Sequence, residues 1–297
     1  MALNLQKSLS SQNQNILYYN RTIERGESIK KLGGVPASLT EIADKCSIVF
    51  FMLANDSVTK STMAELLSHS GIKDSLLVDC STVHPDFSVQ EEKDVIKSGA
   101  QFVSCPVFGL PPVAAAARLV FVAGGPEHLV DRLRPILVPA MGRKVLYVGD
   151  QVRKALVMKL TGNSFNLGVT DLISQVCAFG ESQGLHIDEI TEWAKDFIGP
   201  YGELYFSRNR DGKYLPAEGQ RPLLGVETAM KDCAYMLDLA KQSGSHMPTL
   251  ELTKANIYKA VEMKGPNLDL SASYGYYRTL AGLDFENDFV KKRDGVN

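Results

Sequence analysis

The chain has 297 residues, 44% hydrophobic and 22% charged, a globular profile with enough apolar mass for two cores. Thirty-two lysines and arginines against thirty-four aspartates and glutamates leave a formal charge of -2, so no basic field recruits nucleic acid or an anionic membrane. No apolar run approaches the roughly 20 residues that span a bilayer, and Asn4, Gln6, Gln12, Asn13 and Gln14 make the N-terminal stretch too polar for a signal peptide; a cytoplasmic protein with a small-molecule partner is expected.

Over residues 1–152, short β-rich apolar runs alternate with longer amphipathic stretches, the pattern of a parallel sheet wrapped by helices. The runs are Ile16 to Tyr19, Ile48 to Leu53, Leu76 to Asp79, Gln101 to Ser104, Leu119 to Ala123 and Val145 to Val148. The second is apolar at every position, which suits a central strand covered on both faces. Over residues 153–297 helical spacing takes over, which predicts an all-α domain. Lys154 to Gln183 contains no proline and predicts one long helix, although Gly162, Gly168 and Gly180 each cost about 1 kcal/mol relative to alanine unless close packing needs them. Further helices are predicted over Asp188 to Phe197, over Val226 to Gln242 with Val226, Met230, Ala234 and Leu237 on one face, and over Thr249 to Lys264. Pro and Gly cluster between residues 198 and 225, and Lys291-Lys292-Arg293-Asp294 reads as a frayed, solvated tail.

Cys46, Cys80, Cys105, Cys177 and Cys233 are widely spaced, odd in number and without a C-x-x-C pair, so they point to neither a disulfide framework nor a metal site. Buried core filling is expected of most of them; Cys80 and Cys105 each end an apolar run, where a pocket-lining place is the alternative.

An alternating α/β half followed by a helical half raises the expectation of a dinucleotide site, yet G-x-G-x-x-G occurs nowhere. Gly33-Gly34 ends a helical stretch, where a turn accounts for it. Leu17-Tyr18-Tyr19-Asn20-Arg21-Thr22 has the form of a Rossmann strand running into a helix, with a basic residue suited to a 2'-phosphate. Thr22 as a helix cap and Arg21 as a surface charge explain the same residues.

Several segments in order resemble the β-hydroxyacid dehydrogenase superfamily, which includes 3-hydroxyisobutyrate dehydrogenases, 6-phosphogluconate dehydrogenases and imine reductases. Met1-Ala2-Leu3-Asn4-Leu5 looks like the M-A-x-N-L of that family's first helix. Tyr19-Asn20-Arg21-Thr22 is similar to its NADP-choosing segment, and Met52-Leu53-Ala54-Asn55-Asp56 resembles its M-L-P-x-D loop under the cofactor. Asp79-Cys80-Ser81-Thr82-Val83 with Pro85 matches D-x-S-T-x-x-P. Gly124-Gly125, Lys159-Leu160-Thr161-Gly162-Asn163 and Met230-Lys231-Asp232 resemble a later G-G, the K-x-x-x-N pair and the late M-x-K-D motif.

The resemblance implies a Rossmann-like doubly wound parallel sheet followed by a helical domain for substrate and dimerisation, NADP as cofactor with NAD as the alternative, and no metal. Asn20, Arg21 and Thr22 would read the 2'-phosphate, while Leu53, Ala54, Ser81, Thr82 and Lys231 would line the rest of the cofactor site. A helix-cap role for Ser81 and Thr82 ahead of Pro85 to Lys97 is compatible with this. Lys159 and Asn163 are four apart, hence on one helix face. In an interdomain cleft Lys159 would lose hydration and could exchange a proton with a carbonyl oxygen as hydride moves, with Asn163 bonded to the same substrate. Taken as a bare pattern, the same pair fits an exposed helix face.

Two departures stand out. The family's P-V-S-G-G grip on a substrate carboxylate is here Pro106-Val107-Phe108-Gly109-Leu110, which replaces a hydroxyl donor by a phenyl ring at Phe108 and keeps Gly109. Phe108, Leu110, Pro111 and Pro112 point to a substrate larger or less charged than a small hydroxy acid, and loop packing explains the same residues equally. If Met1 corresponds to the family's first helix, the first strand and glycine loop lie outside this sequence, so that a doubly wound sheet would leave two ladders unpaired. The alternatives are an imine reductase, although the catalytic lysine is commonly exchanged there and Lys159 is kept here, and a truncated, catalytically weak member acting as a binding protein.

Overall fold

The computed structural model describes residues 1–296. The chain divides into two compact units, Met1–Lys159 and Leu160–Asn297.

In the first unit the strands are β1 (Leu17–Tyr18), β2 (Val35–Pro36), β3 (Ile48–Phe51), β4 (Leu76–Asp79), β5 (Gln101–Ser104), β6 (Val107–Phe108), β7 (Leu119–Ala123) and β8 (Gly142–Tyr147). Between and around them run α1 (Ala2–Ser10), α2 (Glu27–Lys30), α3 (Leu39–Lys45), α4 (Asp56–Leu67), α5 (Pro85–Lys97), α6 (Pro111–Ala115) and α7 (Glu127–Leu137). Rossmann-like parallel ladders are present, in three hydrogen-bonded pieces: β1–β2, β3–β4–β5 and β6–β7–β8. Every pairing is parallel except β6 with β7. All six apolar runs of the sequence carry strands, and β2 and β6 are additions of two residues each, too short to show a period.

Hydrophobicity explains the central ladder. All four residues of β4 are buried, with β3 on one edge and β5 on the other, as expected for a parallel strand covered on both faces. Leu77 belongs to the core beneath α3 and α4, and Leu76 and Val78 to the core with α7 and β7. The first part of the stretch too polar for a signal peptide is helical: Gln6 on α1 is fully buried, donating to Asn15 Oδ1 and the Leu32 carbonyl and accepting the Ile16 amide.

In the second unit, and running into it, are α8 (Val152–Ser182), α9 (Ile187–Ile198), α10 (Pro200–Arg210), α11 (Val226–Ser243), α12 (Pro248–Lys264), α13 (Ser273–Leu280) and α14 (Asp288–Asp294). The long proline-free helix is present over 31 residues, and Gly180 has the packing reason its cost requires, since a Cβ there would stand 2.6 Å from Ile190 Cδ1.

The stretch rich in Pro and Gly adds a helix, α10, because Pro200 occupies a first-turn position whose N–H needs no partner. Two expectations are corrected here. On α11 the buried stripe is Val226, Ala229, Cys233, Met236 and Ala240, with Ala234 exposed, Met230 and Leu237 at the margin, and Asp232 buried within the stripe. The frayed tail is instead α14. Asn287 caps it by accepting the Val290 amide at 3.0 Å and donates to the Asn209 carbonyl, while Val290 is fully buried.

Cys80 and Cys105 lie side by side in the first unit's core; the Cys105 sulfur and burial push the Cys80 thiol well up. Burial pushes Cys177 and Cys233 up to about 12, and half-buried Cys46 is raised for the same reason.

The buried face of α5 carries Ser88 and Glu91, and neither oxygen of the Glu91 carboxyl has a hydrogen-bond partner among the described residues. Burial, followed by the negative fields of Asp79, Asp56 and Asp94, raises this carboxyl to about 9 from 4.5. The native state therefore holds a proton that the unfolded chain has released across that window, and stability falls as pH rises from about 4.5 toward about 9. Glu91→Gln is expected to remove this loss, raising Tm at pH 8 by about 3–6 °C relative to wild type with little change at pH 4.5. Thermal unfolding at the two pH values checks it, and equal shifts at both would contradict the assignment.

Candidate active site

The loops that leave the carboxyl ends of β3 and β4 are tied together. Leu53 donates its amide to Ser81 Oγ at 2.9 Å, and Ser81 donates its own amide to Asp79 Oδ1 at 2.8 Å. Asp56, at the start of α4, accepts the His84 amide. Ser81 is buried, Thr82 and Leu53 are half-buried, and Ala54 is exposed. Neither Ser81 nor Thr82 caps α5, since His84 does so through Nδ1, which accepts the Asp86 amide at 3.2 Å. Ser81 instead fixes the course of the Leu53–Ala54 segment, at the rim where open α/β sheets hold ligands.

At the ends of β1 and β2 a cavity of about 340 Å³ is lined by Tyr18, Tyr19, Asn20, Ile23, Pro36, Ala37, Ser38 and Glu41. Asn20 lines it, whereas Arg21 and Thr22 stand exposed outside the lining. Thr22 makes no side-chain cap, and its amide donates to Asn20 Oδ1 at 2.9 Å. Glu41 brings a carboxylate to the wall, held below the usual range chiefly by the Ser38 amide, which it accepts at 3.0 Å. Aromatic rings, an amide and a carboxylate at the carboxyl ends of parallel strands fit the adenosine end of a dinucleotide.

The segment after β5 carries Phe108 and Gly109. Phe108 is paired with Val120 of β7, and the Nζ of Lys159 lies 4.4 Å from the centre of its ring. Gly109 adopts φ +140°, and a Cβ there would fall 2.7 Å from Leu119 Cδ2, so only glycine fits. Lys159 and Phe108, predicted on separate grounds, are thus in direct contact, with both side chains half-buried.

Asn163 follows Lys159 by one turn on α8. Its Nδ2 donates at 2.7 Å to Oδ2 of Asp232, which is 3% exposed. Lys231 Nζ stands 3.2 Å from Asp232 Oδ1 and 5.1 Å from the ring of Tyr235. Asp232 therefore gathers two predicted site residues, Asn163 and Lys231, and fixes which end of the Asn163 amide points where. Sequence reasoning gave Asp232 no role. The signal it carries is a carboxylate inside an apolar stripe, a position occupied without loss only when the charge is paired.

Chemically, Lys159 offers an ammonium beside an aromatic ring, Ser81 and Thr82 lie on a loop at a strand rim, and Asn163 and Lys231 offer an amide and an ammonium beside one buried carboxylate.

Residues 1–149 match the family described as the NAD binding domain of 6-phosphogluconate dehydrogenase. The chain is 28% identical over 274 residues to the NADH-dependent oxidoreductase UcdB of Aspergillus ustus, covering 91% of this chain and 92% of that one. It is 26% identical over 253 residues to the mitochondrial 3-hydroxyisobutyrate dehydrogenase of Drosophila melanogaster, covering 81% and 74%. A 3-hydroxyisobutyrate dehydrogenase from Salmonella typhimurium shares the fold, with a TM-score of 0.80 at 17% identity over 92% of this chain and 95% of that one. With half of its length matched to that nucleotide-binding family, the chain belongs to the β-hydroxyacid dehydrogenase superfamily and is an NAD(P)-dependent oxidoreductase.

Proposed function

We propose that the protein is an NADP-preferring reductase or dehydrogenase that interconverts a hydroxyl and a carbonyl on a small molecule, with Lys159 as the proton carrier. A bound nicotinamide supplies or accepts the hydride. Lys159 Nζ donates a proton to the carbonyl oxygen as its carbon is reduced and accepts it in reverse. Asn163, its amide set by Asp232, hydrogen-bonds the substrate. Ser81, Thr82, Leu53, Ala54 and Lys231 hold the cofactor, and Phe108 and Gly109 border the substrate. The observation that carries this reading is the Lys159 ammonium held 4.4 Å over the Phe108 ring, on a helix that a chain of this superfamily would use for catalysis. Lys159→Ala is expected to lower kcat by about 10³-fold while leaving the fluorescence-titrated affinity for NADPH within twofold. Retained turnover would remove Lys159 from the chemistry.

In this reading residues 1–152 bind the nucleotide, and Asn20, Arg21 and Thr22 read its 2'-phosphate. NADH is the second reading, favoured by the Glu41 carboxylate in the cavity wall, which suits a ribose 2'-hydroxyl, and by the name of the Aspergillus relative. Arg21→Ala is expected to weaken NADPH binding about tenfold or more and leave NADH unchanged. Equal effects on both nucleotides would favour NADH as the native cofactor. Reduction of cyclic imines without reduction of any aldehyde or ketone would move the protein to the imine reductase branch.

Residues 153–297 supply substrate contacts and a homodimer surface. Phe165, Leu172 and Phe179 recur every seven residues along one face of α8, 61%, 57% and 68% exposed, and Trp193 and Phe197 on α9 are 49% and 79% exposed. So much exposed apolar and aromatic surface is characteristic of an interface. No helix among the described residues is long and apolar enough to cross a membrane, and five cysteines without a disulfide suit the reducing cytoplasm. Sedimentation equilibrium is expected to give twice the chain mass, with Phe179→Glu shifting the species toward monomer; a wild-type monomer at micromolar concentration would contradict the dimer.

A further inference from the structure

We infer that α8 packs antiparallel against α8 of a second copy of this chain, the two helices crossing at Gly168, so that Phe165 of each copy enters an apolar cavity of the other. This packing rests on the homodimer reading and goes beyond it by naming the helix face, the direction and the side chain that fills each cavity.

Gly168 gives the first reason. A glycine inside a helix costs about 1 kcal/mol relative to alanine. Gly180 has a reason within the chain, since Ile190 Cδ1 stands 2.6 Å from where its Cβ would be. Gly168 does not: outside its own helix, among the described residues, a Cβ there would meet only Thr249 Cγ2, at 3.4 Å, an ordinary contact. Alanine would therefore fit the isolated chain. What glycine adds at this position is room for another backbone to come close.

Phe165 precedes Gly168 by three positions and Leu172 follows it by four, so all three lie on one face of α8. Phe165 is 61% and Leu172 57% exposed there. Beside them is a cavity of about 210 Å³, walled on α8 by Val169, Leu172, Ile173 and Val176 and faced by Trp193 of α9 and Tyr201 of α10. Four residues spaced i, i+3, i+4 and i+7 make the hole into which a side chain of a facing helix packs. The volume suits a phenyl ring, since an apolar cavity of about 150 Å³ takes up benzene. Knob and hole share one patch, for the centre of the Phe165 ring lies 6.3 Å from that of Tyr201 on the cavity wall. A surface that carries both is complementary to itself, as a two-fold interface between identical chains requires. Because Phe165 precedes Gly168 and the cavity follows it, an antiparallel crossing brings each ring to the other copy's cavity, whereas a parallel pair would set Phe165 against Phe165.

Charge and area agree with this occupant. From Leu160 to Gly180 the one charged residue is Asp171, which is buried and accepts from Asn256 and Tyr277. No exposed charge on this stretch of α8 has to be desolvated when a second copy covers it. Phe165, Leu172, Phe179, Trp193 and Phe197 together expose on the order of 600 Å² of side chain, most of the roughly 800 Å² that each partner gives to a stable interface of standard size.

Two measurements on the full chain test the packing. Exchange of subunits between differently tagged dimers reports how fast the interface opens. Gly168→Ala is expected to speed exchange about tenfold or more, although alanine favours the helix, and Phe165→Ala about a hundredfold or more. Ile96→Ala, at an exposed residue of α5, is expected to stay within twofold of wild type, and far-UV circular dichroism reports that each variant is folded. For direction, chains carrying Phe165→Cys are mixed with chains carrying Leu172→Cys, each in a Cys46→Ser background, and oxidised. A covalent dimer is expected from the mixture and none from either variant alone. Unchanged exchange in Gly168→Ala or Phe165→Ala, no covalent dimer in the mixture, or crosslinking of either cysteine variant by itself would overturn this packing and leave a dimer of another geometry standing. A wild-type monomer at micromolar concentration would sink the homodimer reading and this packing together.

Discussion

The first unit depends on the hydrogen bonding of β4. Its four residues are buried on both faces and bonded along both edges, so the strand has no freedom to slip in register without moving charge or polar backbone into the core. From its carboxyl end hang the features that give the unit chemical character. Asp79 accepts the Ser81 amide, Ser81 accepts the Leu53 amide, and Asp79 adds to the field that keeps the Glu91 carboxyl protonated. An error of one residue in β4 would misplace all of them, so the local order of the loops derives from the ladder behind them.

A second principle runs through the helical unit, where several buried charges are held by polar partners. Asp232 is partnered by Asn163 and Lys231, Arg208 by Asp269, and Arg278 by Glu181. Such pairs add little net stability over apolar packing, but removing one member leaves a stranded charge. What they contribute is geometry: an amide or an ammonium held by a buried carboxylate has one orientation, and catalysis needs orientation more than it needs another kcal/mol of stability.

The fold was legible in the sequence wherever a physical period was long enough to read. The six apolar runs became strands, and the proline-free stretch became α8. The failures have identifiable causes. Helix α10 has no apolar stripe because its buried face includes Arg208 and Asn209, which are polar residues satisfied inside. Helix α14 hides behind Lys291, Lys292 and Arg293, while one buried valine and one capping asparagine hold it down. On α11 the apolar spacing after Val226 points one residue beside the buried line, because Met230 and Leu237 are apolar and sit next to it. For the site, the contact between Phe108 and Lys159 joins positions 51 apart in the chain, which no local pattern encodes. Asp232 was readable in principle, as a carboxylate where the helix wants carbon.

The cysteines carry a practical meaning. Cys80, Cys105, Cys177 and Cys233 are sealed from solvent; the Cys105 sulfur and burial make the thiolate scarce at neutral pH for Cys80, and burial does so for Cys177 and Cys233. Alkylating reagents react with thiolates that they can reach, which among the described residues leaves Cys46, partly open at the end of α3. A maleimide fluorophore would therefore go on at one defined point of the native chain, and its slow attachment elsewhere would keep time with the opening of the core.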